Sequence, residues 1–237
     1  MIDEVCNVRS MPPHSTPESF HRFKYETMNV DPGFMLEPTA DSHREFVRAY
    51  LARLAQLSSP RNAVVDIKYG HVFNFEAWWW PMTARPYLLE FCESNDIGVI
   101  HLFRENVVEA IASGLIANQR SIWHAWEEGA DRLAGRRYVL PVQELVTRAR
   151  NLEVQKTWFR RWMLGVRHFE LSYERLAAEL GRGGELDATL ASLVGGAQLR
   201  PFTPRHRKIT EPLRDVVENY EELRSACDRA GLGSFLG

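Results

Sequence analysis

The sequence predicts an α/β protein with an open, mainly parallel sheet covered by helices. Two observations carry that expectation. Short β-branched or apolar runs, "AVVDIKY" (63–69), "DIGVIHLF" (96–103) and "HFELSY" (168–173), alternate with segments of helical periodicity. Such alternation implies right-handed crossovers and a sheet with helices on both faces. The run Ile97–Phe103 is also apolar at successive positions, as a parallel strand buried on both faces would be.

Each element follows from local signals. Residues 1–40 read as irregular, because Pro12, Pro13, Pro17, Pro32 and Pro38 interrupt any long element. In 41–57, Phe46, Val47, Tyr50, Leu51, Leu54 and Leu57 recur at helical spacing, with Asp41 or Ser42 as the expected N-cap. "SSPRN" is a turn, "AVVDIKY" a strand, and "WWWPM" separates it from a helix over Ala84–Ser94. The strand Ile97–Phe103 leads into a helix from Asn106 to Gln119. "RRYVLP" (136–141) is a short extended piece, and Pro141 suits the first turn of a long helix reaching Val166. The strand "HFELSY" precedes a helix "ERLAAEL" that "GRGG" ends. A short helix over 186–194 and a terminal one over Glu211–Arg229 complete the chain.

Composition limits the function classes. The 237 residues carry a formal net charge of −2 and are 45% hydrophobic, so no basic field points to nucleic acid. Cys6, Cys92 and Cys227 have no metal-ligand spacing and read as reduced thiols of a cytoplasmic protein. The first residues, "MIDEVCNVRS", lack a charged region followed by an apolar stretch, and no run reaches about 18 apolar residues, so neither a signal peptide nor a membrane span is expected. The length allows one large domain or at most two small ones, and the chain is expected to be a single domain over 1–237.

In parallel sheets, ligands bind at the carboxyl ends of the strands. Arg104, Lys68 and Tyr173 all fall at or just after such ends. Arg104 is suited to an anion there, with Ser113 on the following helix as a small polar partner. The alternative is that Arg104 makes a surface ion pair with Glu105 or Glu109 and Ser113 is a packing residue. The aromatic groups Phe73, Phe75 and Trp78–Trp80, and again Trp123, His124 and Trp126, suit either packing or a stacking surface for a sugar or an apolar acceptor.

Four segments together resemble a known family. "VIHLFRENVVEAIASGLIA" (99–117) is similar to the 3′-phosphate-binding segment of sulfotransferases that use 3′-phosphoadenosine-5′-phosphosulfate (PAPS), above all the bacterial carbohydrate branch that includes trehalose sulfotransferases. That pattern is an apolar strand, Leu-x-Arg-x-Asn, then a helix bearing serine; Leu102, Arg104, Asn106 and Ser113 occupy those places. "LSYERL" (171–176) resembles the family's Tyr-Glu-Asp-Leu segment, with Arg175 where Asp is usual. "RHRKITEPLRDVVENYEELRSA" (205–226) resembles its C-terminal basic loop and following helix, and "DEVCN" (3–7) its Gly-Glu-x-Phe-Asn. The resemblance implies a P-loop-NTPase-like sheet and a PAPS donor, with no metal required. It implies a carbohydrate or glycolipid acceptor and allows a homo-oligomer. Arg104 and Ser113 would hold the 3′-phosphate, Tyr173 the adenine, Arg207 and Lys208 the nucleotide through the basic loop, and Glu4 would be the general base. Lys68 and His71 are alternative groups near the site.

One family feature is missing. No glycine-rich loop with Ser or Thr follows any strand, and such a loop is what holds the 5′-phosphosulfate with backbone N–H groups. The sheet is therefore expected to lack its first strand and loop, leaving an N-terminally incomplete domain. Two explanations stay open: a truncated enzyme, or a diverged nucleotide-binding or interaction module without catalysis.

Overall fold

The computed structural model describes residue 23 and residues 40–58, 67, 69, 84–120, 135–180, 182–193 and 212–236. In chain order these hold α1 (Ala40–Ser58), α2 (Tyr87–Ser94), β1 (Val99–Phe103), α3 (Val107–Arg120), α4 (Val142–Trp162), β2 (His168–Ser172), α5 (Tyr173–Glu179), α6 (Glu185–Leu193), α7 (Leu213–Val216), α8 (Tyr220–Arg229) and a 3₁₀ turn (Gly233–Leu236). The described chain is mixed α/β and mostly helical, with one parallel sheet of two strands, β1 beside β2. The strand expected over 63–69 lies mostly outside the described residues. The chain divides into two compact units, residues 1–99 with 162–167, and residues 100–161 with 168–237.

In the first unit, α1 buries Phe46, Val47 and Tyr50. The Phe23 ring lies 5.0 Å from Phe46 and 5.4 Å from Tyr50. Asp41 sits inside the first turn rather than capping it, and pairs with Arg44 at 3.6 Å. Arg44 also stacks its guanidinium over the Tyr87 ring, 5.1 Å from its centre. Helix α2 turns Tyr87, Leu88, Leu89 and Cys92 inward. It begins three residues later than the sequence suggests, because Pro86 is an extended N-cap and a residue before proline avoids the helical region. Past α2 the chain turns sharply at Asp96, whose φ of 52° is left-handed and is tolerated best by Asn and Asp among non-glycine residues. Arg167 clamps this turn, donating from Nε to Asp96 Oδ1 at 2.9 Å and from Nη2 to the Asp96 carbonyl at 2.8 Å. Gly98 leaves room for that guanidinium: a Cβ there would lie 3.2 Å from Arg167 Nη1.

The second unit has a continuous apolar core. It is built from Val107, Val108, Ala112, Leu115 and Ile116 of α3, Leu145, Val146 and Ala149 of α4, and residues of the C-terminal segment such as Val217, Leu223 and Cys227. Those positions recur at three- and four-residue spacing along α3 and α4, which is how one helical stripe faces a core. The terminal helix expected over Glu211–Arg229 is corrected to two. Pro212 caps a single turn, α7, and Val217 then leaves the helix at φ −101°, ψ 120°. The cause is long-range pairing. Tyr138 and Val217 form an isolated parallel bridge, with Tyr138 N–H donating to Val216 C=O at 2.7 Å and Glu218 N–H to Tyr138 C=O at 2.9 Å. The extended piece expected at 136–141 is thus one side of this bridge. The long helix expected to reach Val166 ends at Trp162, and a turn through Gly165, with φ 91°, leads towards β2.

The strand Val99–Phe103 is two residues shorter than expected. It is not apolar-buried on both faces: His101 is buried, while Ile100 and Leu102 are 40% and 48% exposed. Among the described residues β1 is paired on one side, by β2.

Candidate functional site at the carboxyl ends of β1 and β2

Because β1 and β2 run parallel, their carboxyl ends emerge together. Arg104 follows β1 directly. At the end of β2, Ser172 accepts a hydrogen bond from Arg175 N–H at 3.1 Å and so caps α5, whose first two residues are Tyr173 and Glu174. Strand register therefore sets residues almost seventy positions apart side by side. The Arg104 guanidinium lies over the Tyr173 ring, 4.0 Å from its centre. Its Nη1 is 3.7 Å from Glu174 Oε1. The other Glu174 oxygen accepts from the Glu105 backbone N–H at 3.1 Å.

The start of α3 is fixed from both sides. Asn106 Oδ1 accepts from Glu109 N–H at 2.9 Å, an N-cap, while its Nδ2 donates to Phe235 C=O at 2.8 Å. Asn106 thus holds the loop carrying Arg104 and Glu105 against the C-terminal turn. Further along α3, the Ser113 hydroxyl is buried and has no hydrogen-bond partner among the described residues.

The arrangement brings together two of the sequence-predicted residues, Arg104 and Tyr173, and adds Glu174. The ion pair expected of Arg104 under the simpler reading, to Glu105 or Glu109, is made to Glu174 instead. Tyr173 is 41% exposed, so part of its ring remains open beside the guanidinium. Chemically the cluster is an oxyanion seat: a planar guanidinium and a backbone N–H converge on one carboxylate, and phosphate or sulfate oxygens have the same needs. Glu4, Arg207 and Lys208 lie outside the described residues. So do Lys68, His71 and the aromatic groups at Phe73–Trp80 and Trp123–Trp126. Among the described residues no group of three His, Cys, Asp or Glu side chains could hold a metal ion.

A second polar cluster lies under β1 in the same unit and was not singled out from the sequence. His101 Nδ1 is 3.2 Å from Glu170 Oε1, and Arg160 Nε donates to both Glu170 oxygens at 2.9 Å. The His101 ring stacks on Phe159 with centroids 6.4 Å apart, and Arg160 lies over Phe103. Burial pushes the His101 imidazole below its ordinary value, against the pull of Glu170. Burial alone would raise Glu170, but its bonds to Arg160 and His101 hold it below the ordinary carboxylate value. The signal available in the sequence was one histidine in an apolar strand and one glutamate in another. Only the β1–β2 register unites them.

An open cleft of about 620 Å³ occurs near α8. Arg137, Arg214 and Arg224 line it, but so do four carboxylates, which cancel any preference for anions. No helix among the described residues is long and apolar enough to cross a membrane. Comparison with protein-family models, with curated proteins and with solved structures finds no match to the chain.

Proposed function

We propose that the protein is a sulfotransferase-like nucleotide binder of a P-loop-like α/β type, with the end of β1 holding the 3′-phosphate of a PAPS-derived adenosine nucleotide. One observation carries the reading. Arg104, at the carboxyl end of β1, meets Tyr173 at the carboxyl end of the parallel β2, where the Leu-x-Arg-x-Asn and Tyr-Glu segments of the resemblance predict phosphate and adenine contacts. Asn106 takes the structural part of the motif as the cap of α3.

In this reading the guanidinium grips the phosphate by charge-assisted hydrogen bonds, and the open part of Tyr173 stacks on adenine. Transfer of the sulfuryl group to a carbohydrate hydroxyl would rest on positioning and charge stabilisation, with Glu4 taking up the hydroxyl proton. Arg207 and Lys208 would close over the nucleotide. A second reading, nucleotide binding without turnover, is favoured by the lack of a glycine-rich Ser/Thr loop after any sequence run read as a strand. Two measurements on the 237-residue chain test the readings. Titration calorimetry with 3′-phosphoadenosine 5′-phosphate asks whether the nucleotide binds. Transfer of labelled sulfate from PAPS to a panel of sugars and glycolipids asks whether it turns over. Binding with transfer supports the enzyme, and binding without transfer supports the second reading. The absence of both removes the site.

A further inference from the structure

The geometry points to Glu174 as a built-in competitor for the oxyanion that Arg104 receives, so that ligand binding is an exchange of one anion for another. The inference rests on the nucleotide reading of this site. Its basis is that Glu174 engages the same donors an incoming phosphate would use. One carboxylate oxygen faces Arg104 Nη1 at 3.7 Å, and the other accepts from Glu105 N–H at 3.1 Å. Both donors come from the end of β1, and the carboxylate reaches them from the first turn of α5. It takes the part that a phosphate or sulfate monoester would take, because a carboxylate offers the same pair of acceptor oxygens to a guanidinium and an N–H.

The seat is built for exchange rather than for a permanent bridge. Arg104 and Glu174 side chains are 28% and 37% exposed, and ion pairs that wet are weak. The guanidinium has a second support in the Tyr173 ring, which can hold it in place while the anion changes. If Glu174 swung out, it would reach solvent, while Arg104 would keep its position over the ring. The ligand class that follows is a tetrahedral oxyanion carrying more charge than the carboxylate it displaces. Free sulfate and a nucleotide 3′-phosphate share that chemistry.

The test compares wild type, Glu174→Gln and Glu179→Gln by calorimetry with 3′-phosphoadenosine 5′-phosphate and, separately, with inorganic sulfate. Glu179 is the control: it sits on the same helix, but its carboxylate pairs with Arg175 at 3.1 Å. Glu174→Gln is expected to tighten nucleotide binding roughly fivefold, about the scale of a half-exposed ion pair, with Glu179→Gln close to wild type. Glu174→Ala is expected to show the same gain, and a circular-dichroism melt checks that each variant is folded. A gain with the nucleotide and not with sulfate identifies the monoester as the ligand; a gain with both leaves the exchange standing for oxyanions at large. Equal affinity in wild type and Glu174→Gln overturns the competitor while leaving the nucleotide site intact. So does an equal gain in Glu179→Gln, which would be a long-range charge effect, and so does weaker binding, which would make Glu174 a positioning residue. No binding by any of these proteins overturns the nucleotide reading itself, and the competitor with it.

Discussion

The Asn219 side chain pairs with both backbone polar groups of Leu140: its Oδ1 accepts from Leu140 N–H and its Nδ2 donates to Leu140 C=O, each at 3.0 Å. A carboxamide here does the work of a neighbouring strand. It lets the extended segment after Tyr138 end without orphaned amides in a part of the core where Leu140 is only 2% exposed. Asn219→Ala is expected to destabilise the fold by about 2–3 kcal/mol, since it leaves both Leu140 groups unpaired. For a chain of this size that is a fall in Tm of roughly 4–12 °C. Thermal unfolding followed by circular dichroism measures it, and a fall under about 1 °C would show that the pairing contributes little.

The His101–Glu170 pair sets a pH dependence whose sign can be worked out. His101 has a folded value below its ordinary 6.5, so on acidification the unfolded chain takes up this proton first and stability is lost as pH falls below about 6.5. Glu170 also has a folded value below its ordinary 4.5, so its contribution is full above that value and is lost as pH falls further, through the folded value. Stability should thus fall in two stages on acidification. His101→Phe, which can still pack against Phe159, should flatten the stage that begins near pH 6.5 and leave a reduced lower one, since Arg160 still holds Glu170 down. Urea midpoints across pH 4–8 provide the measurement, and an unchanged upper stage in the variant would exclude His101 as its source.

The buried thiols should be inert in the native protein. Burial pushes the Cys92 thiol up to about 11, and burial with the Asp228 charge beside it raises Cys227 as well. Reaction with a thiol reagent at neutral pH needs thiolate and access, and Cys92 and Cys227 have neither. Peptide-resolved mass spectrometry should find both unlabelled until denaturant is added. Rapid native labelling of either would mean that its helix opens readily.

How much of this was legible in the sequence depends on the range of the interaction concerned. The helices α1, α3, α4 and α5 follow from local signals, chiefly apolar spacing, and appear near the expected positions, although the cap expected for α1 at Asp41 or Ser42 falls inside the helix. The strands β1 and β2 follow from apolar runs of strand length. The break between α7 and α8 did not, because the force that pulls Val217 out of the helix comes from Tyr138, 79 residues away. The exposure of Ile100 and Leu102 was also hidden, since an apolar run cannot say which faces are covered. Arg104 could be marked as a candidate from its place after a strand. Its partner Glu174 could not, because a glutamate in a first helical turn is ordinary. Only the parallel register brings the two together.

Turnover is expected to be absent or very low in the 237-residue chain. Sulfuryl transfer needs aligned donors for charge that develops in flight, and losing one such donor typically slows acyl-transfer enzymes by about 10²–10³. None of the sequence runs read as strands is followed by a glycine-rich Ser/Thr loop that could supply them. Labelled-sulfate transfer to sugars at rates typical of enzymes would show that other groups fill that role.

The central claim is that Arg104 grips a 3′-phosphate. Titration calorimetry of wild type and Arg104→Ala with 3′-phosphoadenosine 5′-phosphate, and with the analogue lacking the 3′-phosphate, tests it most directly. Wild type should prefer the 3′-phosphorylated nucleotide, and Arg104→Ala should lose about 1.5–3 kcal/mol of binding to it, with no comparable loss for the analogue. Equal affinity of the wild-type protein for the two nucleotides would contradict the account.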